Sequence, residues 1–165
     1  MKCIVISDSH SYGENIAKVI AKNPDADMVF FLGDGIWALE EYVEKVKDKI
    51  WLCVLGNCDK PTAINGRFVK KVESVNICGT KIILTHGDMY GAKYGRGGLI
   101  SLALEEGARA VLYGHTHTPS EEYITEHGIW LFNPGALEPS GGTRGTFGIL
   151  TVNEKGEFLF SHGML

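Results

Sequence analysis

Five short apolar runs, each closed by a small polar cluster, set the pattern of this chain. Runs of this length that end in glycine, aspartate or asparagine predict buried strands followed by tight loops. In open α/β sheets, ligands bind beyond the carboxyl ends of the strands, so we expect the five clusters to share one rim. The clusters are Asp8-Ser9-His10, Gly33-Asp34-Gly35, Gly56-Asn57-Cys58-Asp59, His86-Gly87-Asp88 and Gly114-His115-Thr116-His117.

Apolar spacing along the whole chain predicts three helices and ten strands. The helices are expected at Asn15–Lys22, Ile36–Val46 and Leu99–Gly107. The strands are expected at Lys2–Ser7, Met28–Leu32, Ile50–Leu55, Phe68–Ile77, Lys81–Thr85, Ala110–Tyr113, Glu122–Glu126, Ile129–Phe132, Thr146–Val152 and Phe158–Ser161. Strand–helix units followed by a run of strands predict a layered α/β fold, with two stacked sheets and helices outside. No repeat or linker divides the chain, so we expect one domain over 1–165.

The composition argues against several classes of function. A formal net charge of -4 and a pI near 5.8 disfavour an extended nucleic-acid footprint, although a small positive site can still bind one phosphate group. The first apolar run is too short for a signal peptide, and no run approaches the length of a membrane span. We therefore expect a soluble, cytoplasmic protein with no membrane partner. Surface aromatic residues could form a homo-oligomer interface, but no pattern identifies one.

Pooled together, the five clusters supply a mixed set of nitrogen and oxygen ligands. Imidazole, carboxylate and amide groups favour Mn, Fe, Zn, Co or Ni over Ca or Mg. Seven such side chains exceed the needs of one ion, which predicts two divalent ions with Asp34 as the shared ligand. Two ions, two carboxylates and one hydroxide leave about one positive charge, which favours a phosphate substrate. The predicted ligands are Asp8, His10, Asp34, Asn57, His86, His115 and His117.

Each cluster alone has an ordinary structural explanation. Asp8-Ser9-His10 and Asn57-Cys58-Asp59 are typical of helix caps or Asx turns, and Gly33-Asp34-Gly35 is a common turn sequence. Taken jointly, five clusters that each close an apolar strand and hold four of the six histidines are poorly explained by turn chemistry. The set therefore predicts a metal site.

The motif order resembles that of the calcineurin-like metallophosphoesterases. The Gly56–Asp59 cluster and the Asn133-Pro134-Gly135-Ala136 turn are similar to those of its small single-domain phosphodiesterase branch. The resemblance covers nearly the whole chain and implies a four-layer α/β/β/α sandwich with two divalent metal ions on one rim. Mn²⁺ is the expected ion, with Ni²⁺, Fe²⁺, Zn²⁺ and Co²⁺ as alternatives.

The resemblance also implies which residues bind each ion. Three ligands would bind the first ion, three others the second, and Asp34 would bridge both. A hydroxide held between the ions would attack phosphorus in line. The first set is Asp8, His10 and His117, and the second is Asn57, His86 and His115.

Cys58 departs from the pattern of the larger phosphatases that this chain resembles. They have a histidine at this place, which protonates the leaving oxygen with help from the next acidic residue, here Asp59. A thiol with a reference pKa near 8.5 is a poorer acid at neutral pH, and the loss of a general acid costs about 10²- to 10⁴-fold in rate. Esters of acidic alcohols should therefore react best. The expected catalytic residues are Asp34, Asn57, Cys58, Asp59 and His86. For Cys58, a structural role as a small side chain between metal and strand is at least as good an explanation.

The expected substrate is a small phosphodiester or nucleotide-like molecule. A phosphomonoesterase or nucleotide pyrophosphatase of the same family is an alternative. The branch also resembles a eukaryotic retromer subunit that serves as a protein-binding scaffold, although a scaffold has no reason to keep all seven ligands. Lys93 or Arg96, in a glycine-rich loop, could reach a second part of the substrate, but an ordinary mobile loop is the favoured explanation; the role of Arg144 is open.

Overall fold

Two five-stranded β-sheets dominate the computed structural model, which describes residues 1–139 and 144–165. The strands are β1 Lys2–Ile6, β2 Met28–Phe31, β3 Ile50–Cys53, β4 Ala63–Ile64, β5 Arg67–Phe68, β6 Val72–Ile77, β7 Thr80–Thr85, β8 Ala110–Leu112, β9 Ser120–Ile124, β10 Ile129–Asn133, β11 Thr146–Val152 and β12 Phe158–Met164. The helices are α1 Gly13–Lys22, α2 Ile36–Lys45 and α3 Gly97–Glu106, with a 3₁₀ turn at Asp88–Tyr90.

Parallel pairing brings the carboxyl ends of the central strands to common edges. The first sheet has the order β12-β11-β1-β2-β3, and β1, β2 and β3 run parallel in it. The second sheet has the order β6-β7-β8-β10-β9, and β7, β8 and β10 run parallel in it. The loops that follow β1, β2, β3, β7 and β8 carry the five polar clusters.

Alternation along β1 shows how the layers form. Cys3 and Val5 belong to the apolar core between the two sheets, whereas Ile4 and Ile6 belong to the core under α1 and α2. On the outer face of the second sheet, Val111 packs in a third core with residues of α3. Successive side chains of a strand point to opposite faces, so strands covered on both sides are apolar throughout. The predicted four-layer α/β/β/α sandwich is confirmed.

The strand predicted at Phe68–Ile77 was wrong at its start, because β6 begins only at Val72. Phe68 instead closes a small hairpin of β4 and β5. Its turn is Asn65-Gly66, and both residues have positive φ, as a tight hairpin turn requires. The strand predicted at Glu122–Glu126 also shifts, to Ser120–Ile124.

The helices of the described residues have ten residues each, and none of them is long and apolar enough to span a membrane. The cytoplasmic location, the single domain over 1–165 and a homo-oligomer stay predictions. Arg144 is exposed, and residues 140–143 before it lie outside the described residues.

Candidate metal centre

The structure brings five of the seven predicted ligands together by their ligand atoms. One atom from each of Asp8, His10 and His117 lies within 4.8 Å of the others. The same holds for Asp8, Asp34 and His86. His117 Nε2 is 3.0 Å from Asp8 Oδ1, and His86 Nε2 is 3.3 Å from Asp34 Oδ2. The two groups share Asp8, so they form one continuous cluster at the sheet edges.

His115 joins this cluster through its ring and its backbone. Its imidazole packs edge-on against that of His86, with ring centroids 5.0 Å apart. Its backbone N–H donates to Asp8 Oδ2 at 3.1 Å. Asn57 is the least engaged of the predicted ligands, because it is exposed and its side-chain amide donates to Cys58 Sγ at 3.3 Å.

The backbone is strained at the predicted ligands. In the described part of the chain, seven non-glycine residues have positive φ, and five of them are predicted ligands. Each such left-handed residue costs about 1–3 kcal/mol and persists only where the surroundings enforce it. Strain of this kind concentrates at functional sites, which fits a role for these loops beyond turning the chain. The five residues are Asp8, His10, Asp34, His115 and His117.

Buried polar atoms without partners test whether a metal ion fits here. Asp8 and His86 are fully buried and Asp34 is 2% exposed. Among the described residues, Asp8 Oδ1 and His86 Nε2 are buried and form no aligned hydrogen bond, despite the short contacts given above. A buried polar atom left unpaired costs about 1–3 kcal/mol, and a bound cation is a physical reason to keep one. The donor set therefore fits a divalent transition-metal ion.

Outer hydrogen bonds fix the ligand atoms in place. His86 Nδ1 donates to the carbonyl oxygen of Leu32 at 2.8 Å, which leaves Nε2 with its lone pair toward the carboxylates. Ser7 Oγ donates to Asp8 Oδ2 at 2.5 Å, so Oδ1 is the free oxygen of that carboxylate. Gly114 allows this arrangement, since a Cβ there would collide with the Ser7 hydroxyl.

His86 Nε2 and Asp34 Oδ2 lie 3.3 Å apart, and each group shifts the pKa of the other. Burial lowers the pKa of His86, but contact with Asp34 and the charges of Asp8 and Asp34 outweigh burial and raise it overall. Burial raises the pKa of Asp34, yet contact with His86 and the amide N–H of Cys58 bring it well below its usual range. A metal ion at this pair would compete with protons for Nε2, so its affinity should depend on pH.

The pKa values of the two histidines in the 114–117 loop are shifted in opposite directions. Contact with Asp8 raises the pKa of His117. Burial and the positive charges of His86 and Lys93 lower the pKa of His115. The charge of Lys93 acts to lower the pKa of both histidines.

The carboxylate of Asp59 ties two ligand loops together. Its Oδ2 accepts the backbone N–H groups of Asp34 and Gly56, at 2.8 and 2.9 Å. Its Oδ1 accepts those of Gly35 and Ile36, at 2.8 and 3.0 Å, and so caps the start of α2. These four bonds direct the carboxylate to the backbone. They favour a positioning role for Asp59, and the catalytic role expected from the sequence stays a prediction.

Cys58 lies at the open side of the cluster. Its thiol is exposed and groups with ligand atoms of His10 and Asp34. Its backbone N–H donates to Asp34 Oδ1 at 2.8 Å. Burial, contact with Asp34 and nearby carboxylates raise the pKa of the Cys58 thiol, so the group retains its proton at neutral pH.

Sequence reasoning missed two residues near the cluster. Asn133 is fully buried, and its side chain donates to the Gly114 carbonyl at 2.7 Å and to Thr116 Oγ1 at 3.1 Å. The Glu138 carboxylate is 3.7 Å from His10 Nε2. The Asn133-Pro134-Gly135 turn in the sequence could have indicated Asn133, but no local pattern indicates Glu138.

The model of the calcineurin-like phosphoesterase superfamily domain matches residues 1–155. The chain belongs to this superfamily. The probable metallophosphoesterase YsnB of Bacillus subtilis is 30% identical over 154 residues, which covers 92% of this chain and 85% of that protein. The resemblance found in the sequence is thereby confirmed, and the protein is a hydrolase of the phosphoesterase class.

Solved structures agree with this assignment. An archaeal phosphodiesterase matches with a TM-score of 0.73 and 26% identity, over 98% of this chain and 99% of that one. Vps29 of Entamoeba histolytica matches with a TM-score of 0.74, over 100% of this chain and 99% of that one. At 18% identity, the likeness to Vps29 shows the fold alone.

The four backbone bonds of Asp59 give a prediction for Asp59→Asn. The new amide keeps one oxygen, and its NH₂ group must face two N–H donors that lose their acceptor. We expect the free energy of unfolding in urea to fall by about 2 kcal/mol or more, with weaker Mn²⁺ binding. If Asp59 transferred a proton instead, the variant would lose activity while stability and Mn²⁺ affinity stayed unchanged.

The matched control for this substitution is Asp25→Asn. It makes the same chemical change on an exposed side chain that hydrogen-bonds only to Lys2 among the described residues. We expect it to change the free energy of unfolding by less than about 0.5 kcal/mol.

Proposed function

We propose that this protein is a metal-dependent phosphodiesterase that acts on small phosphodiesters. The observation that carries the proposal is the cluster of imidazoles and carboxylates whose buried ligand atoms, Asp8 Oδ1 and His86 Nε2, have no aligned hydrogen-bond partner among the described residues. The family assignment and the phosphodiesterase with the same fold support the same class of reaction.

We assign seven side chains to two divalent ions, with Asp34 shared between them. The ions, when bound, supply activated water for in-line attack on phosphorus and positive charge for the phosphoryl oxygens. The grouping of Asp8 with His10 and His117, and the packing of His86 against His115, support this division. Asp8, His10 and His117 would hold the first ion, and Asn57, His86 and His115 would hold the second.

Residues around the proposed ligands hold them in position for the reaction. Ser7, the Leu32 carbonyl and Asp59 hold the ligand atoms in their orientation through the hydrogen bonds described above. Asn57 must turn its side-chain oxygen from its present contact with Cys58 to serve as a ligand. The ligands that these hydrogen bonds hold, unlike Asn57, need little reorganisation when charge develops on the phosphate.

Cys58 is the only protonated group that we assign to the leaving oxygen. Its thiol lies beside Asp34 and holds its proton at neutral pH. A weak acid protonates a leaving alkoxide poorly, so acidic alcohols such as phenols should leave most readily. Which ion binds depends on the availability of metals in the cell as well as on ligand chemistry. Mn²⁺ is our first choice for assays.

Two alternatives have observations in their favour. A phosphomonoesterase or pyrophosphatase fits the same family and the same ligand set. A protein-binding scaffold fits the likeness to Vps29, although that likeness extends to the fold alone. Since a scaffold has no need of strained loops and unpaired buried ligand atoms, we favour the enzyme.

The proposal predicts that metal-stripped protein is inactive on bis(4-nitrophenyl) phosphate and regains activity with Mn²⁺ or Ni²⁺. Asp34→Asn should reduce the restored kcat/KM at least about 100-fold, because charge stabilisation by the ions is worth several kcal/mol. Asp48→Asn, a change on a side chain that is 74% exposed, is the matched control and should leave kcat/KM unchanged.

Two outcomes would contradict this proposal. Absence of turnover with every ion, while the ions still bind, would favour a scaffold with structural metals. Faster hydrolysis of 4-nitrophenyl phosphate than of the corresponding phosphodiester would favour the phosphomonoesterase.

A series of aryl and alkyl phosphodiesters tests whether any group protonates the leaving oxygen efficiently. We expect log kcat/KM to fall steeply as the pKa of the leaving alcohol rises, since the thiol gives it little protonation. Cys58→Ala should keep this steep dependence, as should Cys78→Ala, the control at the other exposed cysteine. A rate that is insensitive to the pKa of the leaving group would show that another group protonates it efficiently.

A further inference from the structure

A pocket of about 520 Å³ opens beside the histidines of the 114–117 loop. One of its lining residues, Thr116, lies between His115 and His117 in sequence, so the pocket adjoins the metal centre. We refer to it as the side pocket. Its lining residues are Ala92, Lys93, Arg96, Tyr113, Thr116, Thr118 and Ser120.

The lining of the side pocket suits an anion. It contains two cationic side chains and four hydroxyl groups, and no carboxylate is among its described lining residues. Lysine and arginine beside hydroxyl donors are the groups that proteins use to bind phosphate. The chain as a whole is acidic, so this local positive charge is not a consequence of composition.

Lys93 is available to a ligand. Within the described part of the chain, its ammonium group forms neither a salt bridge nor a hydrogen bond, whereas Lys2, Lys45 and Lys81 are each paired with a carboxylate. Lys93 lines the side pocket together with Thr116, the residue between the two histidines. An anion in the side pocket would therefore meet Lys93 and remain close to the reacting phosphate.

Arg96 is held in place by a neighbouring strand. Its Nε donates to Glu122 Oε2 of β9 at 2.8 Å. No other hydrogen bond from its guanidinium group is present among the described residues, which leaves both terminal nitrogens as donors. A guanidinium group fixed at one edge loses less entropy when it binds an anion in bidentate fashion.

The loop that carries these two cations is anchored rather than loose. Ala92 is 2% exposed and packs in the core under α3, and its N–H donates to the Gly87 carbonyl at 3.1 Å. On the opposite wall, the hydroxyl groups of Tyr113 and Ser120 are 3.1 Å apart. The side pocket is thus largely formed before a ligand arrives, as small-molecule sites usually are.

We propose that the side pocket binds a second phosphate group of the substrate, carried on the part esterified to the scissile phosphate. The inference rests on the proposed phosphodiesterase function and narrows its substrate class to diesters with an additional phosphate. Lys93 and Arg96 contact that phosphate, and the hydroxyl groups of Thr116 and Ser120 accompany them. These are binding residues that set specificity, distinct from the metal ligands.

Two substrates with the same leaving group test this proposal. Thymidine 5′-(4-nitrophenyl phosphate) lacks the second phosphate, and its 3′-phosphorylated derivative has it. We expect the Mn²⁺-loaded protein to have a kcat/KM about 10- to 100-fold higher for the 3′-phosphorylated substrate, the range of charge-assisted hydrogen bonds. In Lys93→Gln and Arg96→Gln, the ratio of the two kcat/KM values should fall toward one.

Matched controls separate the side pocket from long-range electrostatics. Lys47→Gln removes an exposed lysine that follows α2, and Arg67→Gln removes an arginine that is paired with Glu73 at 3.2 Å, as Arg96 is with Glu122. Both should keep the wild-type ratio, and Lys93→Arg should keep most of it. Equal kcat/KM values for the two substrates in the wild type would contradict the proposed role of the side pocket. The proposed phosphodiesterase activity would still stand.

A binding measurement tests whether the side pocket binds a second phosphate group, even if no diester is hydrolysed. Calorimetry on the Mn²⁺-loaded protein compares thymidine 3′,5′-bisphosphate with thymidine 5′-phosphate. We expect the bisphosphate to bind about tenfold more tightly or better, with the difference lost in Lys93→Gln. Equal affinities would contradict the inference independently of any activity.

Discussion

Burial of two carboxylates and an imidazole at the edge of the stacked sheets is the constraint on which the rest of the structure depends. Asp8, Asp34 and His86 are almost completely removed from water. Removing an ion from water costs several kcal/mol even after relaxation. The contact of His86 with Asp34, the Ser7 hydroxyl and backbone N–H groups offset part of this, and the unpaired atoms Asp8 Oδ1 and His86 Nε2 lie 3.9 Å apart. A divalent cation between them would complete the compensation.

The strand-end loops have to follow tight paths to bring these groups together. Left-handed backbone at five ligand positions is maintained by contacts from other loops. Asp59 fixes the Gly33–Ile36 turn, and Asn133 fixes the loop of His115 and His117. The strained loops at the rim thus lower the free energy of unfolding. Burial of the apolar layers between and outside the sheets offsets this cost.

The layered fold and the five ligand clusters were predictable because both follow from local pattern. Period-2 alternation, apolar runs and strand-end glycines fixed the strands and placed the clusters at one edge. The hairpin at Asn65-Gly66 was also signalled locally, but the apolar run after it concealed the break before β6. The role of Asp59, the approach of Glu138 and the side pocket were not predictable, since they depend on contacts between segments far apart in sequence.

The count of bound ions tests the central claim of a two-metal centre most directly. Equilibrium dialysis of metal-stripped protein against Mn²⁺ should give two ions per chain, and His86→Ala should give one, because Asp8, His10, Asp34 and His117 still hold the first. A single ion per chain in the wild type, or two ions held equally well by His86→Ala, would contradict this account.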